Sequence, residues 1–353
     1  MSDTGAPAGP APARLADLTT MRLGGPAKQI LQPATEAELV ATIVALDRAG
    51  SQVLLVGGGS NLVVGDEGFP GTVVRVATRG VAWAQDGDED GDSVIVTAAA
   101  GEPWDRLVAA SVRRSLAGIE ALSGIPGLTG ATPIQNVGAY GQEVADTVTA
   151  VRVLDRSRQQ VRTLTPVECG FGYRSSKLRG SGRYVVLATS MRLRRSFDGG
   201  PVRYRELAAV LGVRPGAPAP TSDVRRAVLG LRASKGMVLD AADPDTVSAG
   251  SFFTNPLLTP EQAATLPEQA PRYEDPSGAV KTSAAWLIEQ AGFSRGYQHG
   301  RARISGKHTL ALTNTGGATT AEVLELAREI RDAVRAKFRI ELSVEPVLVG
   351  CSL

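Results

Sequence analysis

The stretch at 248–256 reads SAGSFFTNP, and the hydroxyl of Ser251 stands in unusual company there. Gly250 precedes it, and Phe252 and Phe253, two of the chain's 7 phenylalanines, follow it. A nucleophile elbow would need a glycine two positions on, where Phe253 stands. A turn accounts for Gly250, Asn255 and Pro256. It does not account for an alcohol set against two aromatic rings, which is the composition of a dry corner.

Two glycine-rich stretches offer a different chemistry. GGGSNL (57–62) follows the apolar run QVLLV (52–56). It departs from a Rossmann fingerprint, because Leu62 replaces the third glycine and VVGDEGFPG cannot continue as a helix. Consecutive glycines after a strand still let backbone N–H groups converge on a pyrophosphate, with a tight turn as the plain alternative. The second stretch, LSGIPGLTGATPIQNVGAYGQE (122–143), has neither a helix nor a strand period. Loops of that length are functional or disordered, and its Ile, Leu, Val and Tyr argue against disorder. Small residues let a backbone lie flat on a planar ligand, with N–H groups aimed at ring carbonyls and phosphates. Two such loops in one half of the chain point to a dinucleotide held by main chain.

Two other motifs fail on spacing. DGDEDG (86–91) opens like a calcium loop, but the position for its bidentate glutamate is Thr97, inside a strand pattern. An acidic hairpin tip is the better reading. GRARISGKHT (300–309) resembles a phosphate-binding loop, but has five residues between its glycines and His308 in place of Ser or Thr.

The elements that must position these groups divide the chain. Its 353 residues exceed one small domain, and 43% hydrophobic with 21% charged residues is a globular composition. A net charge of +2 without a basic run disfavours nucleic acid as a partner. Only Cys169 and Cys351 are available for disulfides, and with His299 and His308 the only histidines, no metal site is expected. No apolar run reaches membrane-spanning length, and MSDTGAPAGPAPA (1–13) reads as a disordered tail, not a signal peptide. The expected compartment is the cytoplasm.

Helices are predicted over 35–50, with Thr35 and Glu38 as a capping box, and over 102–118. Strands are predicted at 52–56, 72–77, 93–100, 147–155 and 183–193. After the loop or linker GVRPGAPAP (212–220), helices are predicted near 222–234, 282–291 and 319–338, the last with Thr319 and Glu322 as a capping box. A strand over 340–350 closes the chain.

Taken together, GGGSNLVV, GIPGLTGATPIQNVGAYG, ECGFGYRSSKLR, AGSFFTNP and EPVLVG, in that order, resemble the UDP-N-acetylenolpyruvoylglucosamine reductase (UDP-N-acetylmuramate dehydrogenase) family, from about Leu18 to Gly350. The resemblance implies an α+β chain with a vanillyl-alcohol-oxidase-type (PCMH-type) FAD-binding fold in two subdomains, 14–80 and 81–200. A substrate-binding domain, 201–353, would follow, its last strand near 340–350 returning to the active site. The implied activity takes NADPH and UDP-N-acetylglucosamine enolpyruvate as small-molecule substrates and makes UDP-N-acetylmuramate for peptidoglycan. No obligate protein partner, nucleic acid or membrane insertion is implied.

Residue by residue, the resemblance assigns Gly57, Gly58, Gly59, Ser60 and Asn61 to the FAD pyrophosphate. Pro126, Gly127, Gly130, Thr132, Asn136, Gly138 and Gly141 belong to the loop along the isoalloxazine. No histidine precedes His299, so a histidyl flavin tether in the FAD half is excluded. Hydride would pass from flavin N5 to the vinyl carbon, with Ser251 giving the proton. Arg174 would face the substrate carboxylate. Glu345 would be the catalytic glutamate near the chain end, with Ser343 where some relatives carry a second one. Lys235, Asn255, Tyr204 and His308 match substrate-side positions.

Overall fold

The computed structural model describes residues 13–87, 91–275 and 278–353. The tail expected over 1–13 lies outside the described residues apart from Ala13, and the acidic tip expected at 86–91 lies outside them at 88–90.

Near the N-terminus a three-stranded parallel sheet has Phe69–Arg75 in the middle, flanked by Ala27–Leu31 and Val53–Val56. Helix Glu36–Arg48 covers it, burying Leu39 and Ile43. The helix starts at the expected capping box: the Glu38 N–H donates to Thr35 Oγ1 (3.2 Å), and the Thr35 N–H donates to the Glu38 carboxylate (3.2 Å). The apolar strand Val53–Val56 ends at Gly57, so the sheet's edge delivers the first glycine loop.

An antiparallel sheet follows, in the order Gln160–Leu164, Val148–Asp155, Tyr184–Arg195, Ser93–Ala99 and Val81–Gln85. Val94, Val96 and Ala98 alternate onto its core face, against Trp104, Leu107 and Val108 of helix Trp104–Arg113. That helix is shorter than the predicted 102–118. Ser115 takes a left-handed φ of 53°, and Leu116–Ala117 leave the helix to pair with Arg194 and Arg195.

The 212–220 loop joins Thr221–Ser234 to a short helix, Arg205–Leu211, that the sequence pattern did not reveal. Arg225 grips Asp105 through both oxygens (2.6 and 2.8 Å), fixing Thr221–Ser234 against Trp104–Arg113.

The C-terminal part holds a four-stranded sheet in the order Ser248–Ser251, Ala311–Asn314, Ala302–Ile304 and Gln298–His299. These strands have two to four residues each, too short to show a period in the sequence. Helix Thr320–Phe338 packs on them with Val323, Leu324, Leu326, Ala327, Ile330 and Val334 buried, as its spacing predicts, and Thr319 and Glu322 form its capping box.

The predicted strand 340–350 shrinks to Val347–Val349, pairing in parallel with Leu62–Val64 just after the first glycine loop. Pro346, which has no N–H to donate, stands immediately before it. Val344 instead bridges to Phe253. The junction is held further by Asp66, whose carboxylate accepts from the Thr320 and Ala321 N–H groups (2.8 and 3.1 Å) at the helix start, where negative charge is favoured. Among the described residues no helix is long and apolar enough to cross a membrane. Cys169 and Cys351 are free thiols.

Candidate active site

The two glycine loops meet. A Cβ on Gly58 would lie 2.7 Å from the Gly127 Cα, and one on Gly59, whose φ is +63°, would lie 1.8 Å from the Leu18 carbonyl oxygen. Side chains are excluded at both positions. The Ser60 hydroxyl donates to the Pro126 carbonyl (3.1 Å), closing the contact. Between the loops opens a cavity of about 410 Å³, within the size range of small-ligand sites. Gly57, Gly58, Gly59, Ser60, Asn61, Pro126, Gly127, Thr132 and Gly138 all lie in its wall. Gly130 does not; it packs against Ala100, where a Cβ would fall 2.4 Å from the alanine's own.

Ser251, Arg174 and Glu345 reach the same cavity from three distant parts of the chain. Ser251 ends its strand after a bulge: Ser248 pairs with Thr313 but Ser251 with Ala311, so one extra residue is absorbed near Gly250, whose φ is +74°. Such a bulge re-aims the side chain that follows. Phe252 and Phe253 turn away into the core, each 1% exposed, edge to face at 5.3 Å. The Phe252 carbonyl accepts from the Glu345 N–H (2.9 Å), which sets the serine and glutamate segments side by side.

Arg174 sits in a tight turn closed by mutual Gly172–Ser175 backbone bonds, with a left-handed φ of 50°. Its Nη2 donates to the Gly138 carbonyl (2.6 Å), and its Nε lies 3.7 Å from Glu345 Oε1. Its Nη1 is enclosed without a hydrogen-bond partner. A buried guanidinium donor left unpaired costs free energy. Burial pushes the Glu345 carboxyl above its usual range, and the charges of Arg174 and Arg179 pull it part of the way back. Its acid form is therefore favoured more than an exposed glutamate's.

Arg179 escaped the sequence reading. Its guanidinium donates to the Arg174 and Glu345 carbonyls (both 2.8 Å), tying the two catalytic candidates to one group. Gln135, which accepts from the Asn61 amide (2.5 Å), also escaped it, as did Arg232. Arg232 lines the cavity and its Nε is enclosed without a partner. Each is a polar residue in a loop or at a helix end, and nothing in local spacing separates it from a surface residue.

The remaining predicted residues lie outside the cavity wall. Asn136 is 1% exposed; its amide donates to Glu143 (2.8 Å) and to the Gly172 carbonyl (3.1 Å). Gly141 has a φ of +86° in the turn between Gly138–Ala139 and Gln142–Glu143. Tyr204 stands edge-on to Tyr140 at 5.4 Å. Lys235 pairs with Glu206 (2.5 Å) and lies 6.0 Å from the Tyr140 ring, so Tyr204 and Lys235 share one cluster. Asn255 accepts from the Ala284 N–H (2.9 Å) at the start of helix Ala284–Gln290. His308 accepts from the Leu310 N–H through Nδ1 (3.1 Å). Burial, then the charges of Lys235, Arg232 and Arg295, lowers its pKa to about 4, so the ring is neutral at pH 7.

The glycine cradle, the enclosed cationic donors and the cavity between them fit an anionic, planar-ringed dinucleotide. The FAD binding domain model matches residues 27–164, which contain both glycine loops. The fold and site thus define an FAD-dependent oxidoreductase of α+β build. The model for the UDP-N-acetylenolpyruvoylglucosamine reductase C-terminal domain matches residues 243–349, which contain Ser251 and Glu345. A UDP-N-acetylenolpyruvoylglucosamine reductase from Thermobifida fusca is 53% identical over 349 residues, covering 96% of this chain and 97% of the relative. One from Saccharopolyspora erythraea is 52% identical, covering 96% and 95%. The crystal structure of UDP-N-acetylenolpyruvylglucosamine reductase from Thermus caldophilus superposes with a TM-score of 0.64 at 27% identity, over 96% of this chain and 98% of that one. The chain belongs to the UDP-N-acetylenolpyruvoylglucosamine reductase family.

Proposed function

We propose that this enzyme, in the cytoplasm, uses NADPH to reduce the enolpyruvyl ether of UDP-N-acetylglucosamine to the lactyl ether, yielding UDP-N-acetylmuramate. The observation that carries this reading is the convergence of Ser251, Arg174 and Glu345 on the cavity walled by both glycine loops. Residues 14–80 and 81–200 are assigned to FAD and 201–353 to the sugar nucleotide. When bound, FAD supplies the hydride added to the terminal vinyl carbon.

The chain's own residues manage charge and proton. Gly57 to Asn61 offer backbone N–H groups to the pyrophosphate, and the 126–138 loop lies along the ring. Arg174 takes the substrate carboxylate through its guanidinium and offsets the negative charge that grows there. Glu345, whose carboxyl burial pushes toward the acid form, is assigned to donate a hydrogen bond to the same carboxylate when protonated. Ser251 gives its hydroxyl proton to the carbon bearing the ether oxygen and is reprotonated from solvent. One hydride and one proton together saturate the double bond. Lys235, Tyr204 and Asn255 serve the sugar nucleotide, and the neutral ring of His308 suits a nucleobase better than a phosphate.

Because Ser251, Arg174 and Glu345 line one shared cavity, NADPH and the enolpyruvyl substrate are expected to exclude each other. Steady-state rates over a grid of both concentrations are expected to give parallel double-reciprocal lines, with inhibition by excess substrate that lessens as NADPH rises. Intersecting lines would require both to bind at once and would contradict a shared site.

A further inference from the structure

Arg174 is held by more than the groups that line the cavity. Its guanidinium meets three fixed points, one at each nitrogen: the Gly138 carbonyl at Nη2 (2.6 Å), Glu345 at Nε (3.7 Å) and Glu143 Oε1 at Nη1 (3.8 Å). Three points set both the place and the tilt of a planar group. Glu143 stands outside the cavity wall, and its side chain is 39% exposed.

Glu143 is itself anchored. Its Oε2 accepts from Asn136 Nδ2 (2.8 Å), and the same amide donates to the Gly172 carbonyl (3.1 Å), two residues before Arg174. Asn136 Oδ1 accepts from the Ala145 N–H (3.0 Å), so this buried side chain is fully engaged within the protein. The Glu143 N–H donates to Asp146 (2.8 Å). A Cβ on Gly138 would lie 2.7 Å from Arg174 Nη1 and 2.9 Å from Glu143 Cγ, so glycine leaves room for the pair. Asn136, Glu143 and the Gly172–Ser175 turn therefore form one bonded unit behind the arginine.

We propose that Glu143 is a positioning residue that sets the tilt of the Arg174 fork toward the substrate carboxylate. The inference rests on the proposed reading that Arg174 meets that carboxylate. At 3.8 Å, Glu143 attracts Nη1 without taking a hydrogen bond from it. The fork is then already aligned when the substrate arrives, and less side-chain freedom is lost on binding.

The test compares Glu143→Ala and Glu143→Gln with the unaltered FAD-loaded enzyme in anaerobic single-turnover measurements. Glutamine keeps an acceptor for Asn136 but removes the charge. Oxidation of the NADPH-reduced enzyme by UDP-N-acetylglucosamine enolpyruvate is expected to slow about tenfold or more in Glu143→Ala, with Glu143→Gln between it and the unaltered enzyme. Reduction by NADPH should stay within about twofold. In an Arg174→Ala background, Glu143→Ala should add no further loss, because it acts through the arginine. Equal slowing of both half-reactions, additive loss in that background, or loss of FAD in both variants would overturn the proposal. An unaltered enzyme that the sugar nucleotide cannot oxidise would sink the functional reading itself. A competent unaltered enzyme with an unaffected Glu143→Ala would sink only the role of Glu143.

Discussion

Ser251→Ala is expected to leave flavin bleaching by NADPH near the unaltered rate while slowing reoxidation by the enolpyruvyl sugar nucleotide by about 10²–10⁴-fold. That range is the usual worth of a positioned general acid. The asymmetry follows from where the hydroxyl acts. Reduction of the flavin needs no proton on a substrate carbon, whereas saturation of the vinyl group does. The substitution removes one oxygen from a side chain in a cavity wall and leaves the Phe252 and Phe253 anchors in place. FAD content and melting temperature should therefore hold. Rapid-mixing absorbance of each half-reaction separates the outcomes: equal slowing of both would assign Ser251 a structural role.

Arg174→Lys should cost about 10²–10³-fold in the same oxidative half-reaction, the scale for losing one preorganised donor to a developing anion. Lysine keeps the charge but not the planar fork, so it cannot serve Gly138, Glu345 and a substrate carboxylate together. FAD content, read from the visible spectrum of the purified variant, should be unchanged. Loss of FAD would place Arg174 in the cofactor site instead. The two substitutions should differ in a second way. Arg174→Lys should weaken apparent substrate binding as well as turnover, whereas Ser251→Ala should act mainly on turnover.

Much of the scaffold could be read locally. The boxes Thr35–Glu38 and Thr319–Glu322 mark helix starts because the reciprocal bonds need only residues three apart. The Val323-to-Val334 face was visible because a 19-residue helix repeats its apolar spacing several times. Ser248–Ser251 showed no such period, since it has four residues and a bulge within them. The end of Trp104–Arg113 was misplaced because the pairing of Leu116–Ala117 with Arg194 and Arg195 overrode a plausible helical pattern.

The site divides along the same line. The glycines could be named from their motifs, but what each avoids could not: Leu18 lies far from Gly59 in sequence, and Gly127 far from Gly58. Ser251, Arg174 and Glu345 came from resemblance, one motif each, and their meeting is a property of the folded chain. Arg179 and Glu143 each end a quoted stretch, ECGFGYRSSKLR and LSGIPGLTGATPIQNVGAYGQE, but nothing in those stretches gives either a role. Their contacts with the catalytic candidates exist only once the loops close on one another.

The most direct measurement is an anaerobic cycle on the FAD-loaded protein, followed by its visible flavin band and by mass spectrometry of the sugar nucleotide. NADPH should bleach the band. One equivalent of UDP-N-acetylglucosamine enolpyruvate should restore it in the absence of oxygen, with the sugar nucleotide gaining two hydrogens. A reduced protein that regains its colour only when air is admitted, leaving the sugar nucleotide unchanged, would contradict the account.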